Sequence, residues 1–139
     1  MLLNVKKKMI ALVVHNNNFN RKKNKFLKTL FFLWFFIVFV LSIMPVNNKV
    51  SFNIIGLDKI VHFLLYFVCS FICFFSYGIE KQEKRHLFVL ILCIGYGILL
   101  EIIQYFIPYR SFSFLDIIAN SLGDFFGLFS SKRINKYYG

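Results

Sequence analysis

The chain has 139 residues, 58% of them hydrophobic and 20% aromatic, with a formal net charge of +11. One small folding unit has too little interior to hide that much apolar side chain, so a water-soluble domain is excluded and a lipid-embedded one indicated. In a soluble protein the charge would suggest nucleic acid; here Lys and Arg fall between apolar blocks, where they orient spans, and no nucleic-acid partner is expected.

Residues 1–25 are basic and Asn-rich, and their apolar run, residues 9–14, is too short to cross a bilayer. They are expected to form a cytoplasmic segment, either a surface-lying turn or disordered chain. Residues 26–46, FLKTLFFLWFFIVFVLSIMPV, are long enough for a first span. They follow Arg21, Lys22, Lys23 and Lys25, as a signal peptide would, but no small-x-small cleavage site follows, which predicts a retained anchor. A short polar loop, 46–57, leads to a second span over residues 58–79. There Asp58, His62 and Tyr66 step by four, and Cys69, Cys73 and Ser76 continue the stripe. Asp58 near a helix start suits the helix dipole and is a candidate cap.

The charged stretch EKQEKRH, residues 80–86, precedes a third span at 87–107 and a fourth at 112–130. The tail KRINKYYG is basic with interfacial tyrosines. The chain thus divides into 1–25, a transmembrane domain at 26–131 and a basic cytoplasmic tail at 132–139. Lys and Arg number fourteen in the N-terminal stretch through Lys28, the 80–86 loop and the tail, against three (Lys49, Lys59 and Arg110) in the other connections. The positive-inside rule then predicts four spans with both termini in the cytoplasm. Each span must be a helix, because an isolated strand in lipid leaves its backbone polar groups unpaired. The expected fold is an all-α, polytopic membrane four-helix bundle, N-in/C-in.

The informative stretch is the hairpin 95–127, GYGILLEIIQYFIPYRSFSFLDIIANSLGDFFG. On its first arm Gly97, Glu101, Gln104 and Pro108 share one helix face; on its second, Asp116, Ala119, Asn120, Gly123, Asp124 and Gly127 do. A carboxylate among Ile102, Ile103 and Phe106 is expensive unless it faces a partner. Combined with the topology, Asp58, Lys59 and His62 open the second span from outside, Glu101 and Gln104 lie near the outer end of the third, Arg110 is in the outer turn, and Asp116 and Asn120 open the fourth. Stripes from three helices therefore converge in the outer half of the membrane, with Asp124 as the inner-side exception. A purely structural polar set has no reason to choose one leaflet. Ala119, Gly123 and Gly127, by contrast, form a small-xxx-small face suited to helix packing.

Cys69, Cys73 and Cys93 lie in apolar runs and read as packing residues. His62, Glu101 and Asp116 are a conceivable metal set, but one His with scattered carboxylates is a poor zinc signature. No metal or cofactor is expected, and no nucleotide or hydrolase fingerprint occurs.

The pattern Asp58-Lys59-x-x-His62-Phe63-x-x-Tyr66, Glu101-x-x-Gln104, Pro108-x-Arg110, Asp116-x-x-x-Asn120 and Gly123-x-x-x-Gly127 resembles the VanZ-like membrane protein family over residues 26–130. Asp124 and the N-terminal extension depart from that pattern. The resemblance implies a multi-pass protein of the bacterial cytoplasmic membrane, whose family namesake is linked to teicoplanin resistance.

Three functions follow as expectations. In the first, an anionic cell-envelope lipid or precursor is bound or modified: Lys59 and Arg110 hold phosphate or carboxylate, His62 and Glu101 act as an acid–base pair, and Gln104, Asp58, Asp116 and Asn120 position the ligand. In the second, the protein is a non-enzymatic packing or assembly module, able to oligomerise, whose polar residues serve helix–helix contacts. In the third, ranked last, Glu101, His62 and Asp124 relay protons.

Overall fold

In the computed structural model four helices follow one another: α1 (Leu2–Ile43), α2 (Leu57–Ser76), α3 (Gln82–Tyr105) and α4 (Phe114–Tyr138). The structure describes the backbone of residues 2–45, 56–77 and 82–138, and the side chains of 22–45, 56–77 and 83–137. Among the described residues there is no strand. The expected all-helical, four-helix architecture is present, and three stretches, Lys22–Ile43, Leu57–Ser76 and Glu83–Tyr105, are long and apolar enough to cross a membrane.

Several boundaries differ from expectation. Residues 2–25 are neither a turn nor irregular, since α1 runs unbroken through them. At about 1.5 Å per residue this helix is roughly 60 Å long, twice a hydrocarbon core. Its Lys and Arg residues are good helix formers, so nothing in the junction at 25–26 stops it. The tail likewise continues α4 to Tyr138. The loop at 46–55 lies outside the described residues. Asp58 is not the cap of α2: Gly56 occupies that position at φ 109°, in the left-handed region that favours glycine, and Asp58 sits in the first turn.

The fourth helix does not reach the apolarity of the other three, for a legible reason. Asp116, Ala119, Asn120, Gly123, Asp124, Gly127 and Ser131 are all buried, while Phe114, Leu115, Leu122, Phe125 and Phe129 are exposed. The polar residues lower its average hydropathy but face the bundle, and the apolar ones face outward, the arrangement suited to lipid.

The second helix is the centre of the bundle, packing on α1, α3 and, most extensively, α4. Glycines set that last distance. A Cβ at Gly123 would strike the Phe63 carbonyl, and one at Gly127 the Phe67 carbonyl and Ser70 Oγ. The small-xxx-small face is thus used within the chain. Elsewhere, side chains donate to carbonyls of neighbouring helices: Trp34 Nε1–H to Leu65 O at 3.0 Å, Tyr96 O–H to Phe35 O at 2.7 Å, Ser70 O–H to Asp124 O at 3.0 Å and Ser76 O–H to Leu27 O at 2.8 Å. In lipid such bonds replace the hydrophobic drive that holds soluble bundles. Cys69, Cys73 and Cys93 are free and fully buried beside Phe31, Phe74 and Val89. They pack as the sequence suggested.

Candidate functional site

The end of α1, the start of α2, the end of α3 and the start of α4 meet at one end of the bundle, and the titratable residues gather there. His62, Glu101 and Asp116 each offer an atom within 4.8 Å of the others. Glu101 is 1% exposed and Asp116 7%. What makes two carboxylates tolerable there is the N-terminus of α4. Glu101 Oε2 accepts the Ser113 N–H at 3.2 Å, and Ser113 Oγ accepts the Asp116 N–H at 3.3 Å. Ser113 therefore caps α4, and both carboxylates lie at the positive end of its dipole.

Asn120, 2% exposed, reaches across from α4 to α2, where its Oδ1 lies 3.0 Å from His62 Nδ1. An amide oxygen can only accept, so Nδ1 carries the proton in this bond. The other nitrogen, Nε2, lies 3.9 Å from Asp116 Oδ2. Lys59 bridges two carboxylates, at 2.5 Å from Asp116 Oδ1 and 2.6 Å from Asp58 Oδ2. Asp58 is at the rim, its side chain 61% exposed.

A cavity of about 650 Å³ opens beside this cluster. Asp58, His62, Gln104, Arg110, Ser111 and Asp116 form its polar side, and Leu41, Leu57, Val61 and Leu65 its apolar side. Ligand pockets commonly fall in this size range, mostly apolar with a few placed polar groups.

The structure thus brings His62, Glu101, Asp116, Asn120 and Lys59 together, with Asp58, Gln104 and Arg110 around the mouth. Two of the latter have a second duty. Gln104 Nε2–H donates to Ser42 O at 2.9 Å, and the Arg110 Nη2 group donates to Leu41 O and Met44 O, each at 2.8 Å. Tyr109 O–H adds a bond to Ile43 O at 3.1 Å. Leu41, Ser42 and Ile43 carry the last carbonyls of α1, which have no partner within their own helix, and Met44 follows directly. Arg110 keeps its Nε–H buried and without a partner among the described residues. Sequence reasoning missed Ser113 and Tyr109. The Ser113-x-x-Asp116 spacing was a readable capping signal; nothing marked Tyr109. Ala119, Gly123 and Gly127 do not touch the cavity; they fix the α2–α4 spacing on which the His62–Asn120 bond depends. Asp124 is fully buried between α4 and its neighbours, and neither carboxylate oxygen has a hydrogen-bond partner among the described residues.

The model of the VanZ/LLP1 family matches residues 5–135. The chain belongs to this family. The match takes in nearly all of α1, so the N-terminal extension lies inside the family's span and not outside it. An uncharacterized protein of the fission yeast Schizosaccharomyces pombe is 30% identical over 66 residues, 48% of this chain and 41% of that protein. The chain therefore spans less than half the length of the curated relative it matches. No solved structure matches.

Proposed function

We propose that this VanZ-family protein binds the head group of an anionic cell-envelope lipid or lipid-linked precursor. The site would face outward in a bacterial cytoplasmic membrane, with both termini in the cytoplasm. The observation that carries the reading is the amphipathic cavity at one end of the bundle. Its apolar wall of Leu41, Leu57, Val61 and Leu65 suits acyl or prenyl chain, and its polar wall, which includes Arg110 and its unpartnered Nε–H, suits a head group. His62 and Glu101 stand close enough to exchange a proton with a bound group, which extends the reading to modification of the lipid. Altered envelope lipid is the route by which such a protein would change teicoplanin susceptibility.

The test compares purified protein in nanodiscs of phosphatidylglycerol and of phosphatidylcholine, by native mass spectrometry of co-released lipid. Retention of phosphatidylglycerol, lost in His62→Ala and Glu101→Gln variants that still accumulate in the membrane, is the expected result. Equal retention of both lipids, or loss of the protein itself in step with binding, would count against it. In cells, deletion should change the lipid and precursor profile together with teicoplanin sensitivity.

A second reading, a non-enzymatic packing module, is supported by the many polar side chains that donate to neighbouring helices. It predicts that Gly127→Leu, which parts α2 from α4, abolishes function while His62→Ala leaves it intact.

A further inference from the structure

The charges in and around the cluster do not favour an anion by themselves. Asp58, Glu101 and Asp116 are three carboxylates; Lys59 is held between two of them, and Arg110 is turned to the end of α1. The innermost atoms are the Nε2 lone pair of His62 and the carboxylates of Glu101 and Asp116. With no proton on Nε2, three acceptors face one another there, and a proton or a cation between them relieves the repulsion.

The geometry points to a divalent cation bound by His62 Nε2, Asp116 Oδ2 and a Glu101 carboxylate oxygen. Three features of the arrangement fit. Ligands about 2.1 Å from a shared ion stand about 3–4.2 Å apart, so atoms within 4.8 Å close on an ion with side-chain shifts of about half an ångström. The Asn120 bond to Nδ1 fixes the tautomer that leaves Nε2 free, and a second partner of this kind is the usual support of a ligating histidine. The residues come from three helices that converge, and the 650 Å³ cavity leaves space for further ligands on the open side. One imidazole with two carboxylates suits Mn²⁺ best, with Zn²⁺ next. Lys59 occupies Asp116 Oδ1 and leaves Oδ2 to the ion.

This inference deepens the lipid reading, since it supplies the positive charge that a phosphate would meet. The ion would bridge the carboxylates of the floor and the oxygens of the head group.

The test uses the full chain in detergent micelles, stripped with EDTA and titrated with Mn²⁺ while free Mn²⁺ is followed by electron paramagnetic resonance. One tight site per chain is expected, displaced by Zn²⁺. Glu101→Gln and His62→Gln should each weaken it at least tenfold. Asn120→Ala should weaken it by about 10–100-fold, as loss of a histidine's supporting partner does. Glu83→Gln, at the opposite end of α3, should leave it unchanged. Protection of the buried cysteines from thiol reagents shows whether each variant is folded. Wild-type protein binding less than one ion in two chains, or a folded Glu101→Gln variant binding as tightly as wild type, would overturn the site. Repeating the nanodisc comparison with EDTA separates the two readings. Phosphatidylglycerol retention that needs Mn²⁺ supports both. Retention indifferent to EDTA with no Mn²⁺ bound removes the ion and keeps the lipid; tight Mn²⁺ without lipid preference does the reverse.

Discussion

Replacing Gly127 with Ala tests the packing on which the site depends. The added Cβ would meet the Phe67 carbonyl oxygen and Ser70 Oγ far inside contact distance, with the Phe67 carbonyl carbon at 3.0 Å. Ser70 can rotate, but the Phe67 backbone cannot, so α4 must retreat from α2 by roughly 1 Å. Overpacking of this kind costs about 1–3 kcal/mol, and a backbone obstacle puts it at the upper end. The better helix propensity of Ala offsets about 1 kcal/mol. The net destabilisation is about 2 kcal/mol, or about a 30-fold rise in the population of opened bundle. Cys69 and Cys73 are 0% exposed and unoxidised, so their labelling by a thiol reagent in detergent reports that opening directly. The variant should label about 30 times faster when opening is rapid relative to labelling. Its retreat should also weaken the 3.0 Å His62–Asn120 bond about two turns away. Gly95 is the control: a Cβ there meets nothing within 4 Å, and Gly95→Ala should slow labelling if it does anything. An unchanged labelling rate in Gly127→Ala would refute the view that this glycine sets the helix spacing.

Arg110→Ala removes two charge-assisted bonds to the end of α1 and should lower the thermal midpoint in detergent; Arg110→Lys should restore it only partly, since the planar fork is lost. Asp124→Asn keeps the shape and removes the ionisable group of an unpartnered buried side chain, so stability on an unfolding titration should rise. A fall would show that Asp124 is held by a partner outside the chain's own side chains. Ser113→Ala should loosen the start of α4, by about 1 kcal/mol, and increase hydrogen exchange at the Asp116 amide. Reporter fusions after residue 138 and at the N-terminus should both read cytoplasmic, with a reporter at Ser111 reading external; opposite readings for the two ends would overturn the four-crossing topology.

The stripes on α2, α3 and α4 were legible in the sequence because a helix has a fixed period. Glu101, Gln104, Asp116 and Asn120 each stand among apolar neighbours that must face lipid, so their shared direction followed from spacing and desolvation alone. Charge between spans, set by Lys and Arg counts, gave the expectation of topology in the same way. Spacing could not say where helices would stop. The ends of α1 and α4 ran past every boundary read from composition, because basic residues propagate a helix as well as apolar ones do.

Composition and period therefore determined that the chain is an all-helical membrane protein with a polar face on three helices. Only the tertiary structure decided which polar groups meet. The turn after α3 directs Arg110 and Tyr109 to the end of α1, and the backbone contacts at Gly123 and Gly127 set the distance at which Asn120 reaches His62. These depend on the separation and rotation of helices distant in sequence, and local spacing carries no information about either.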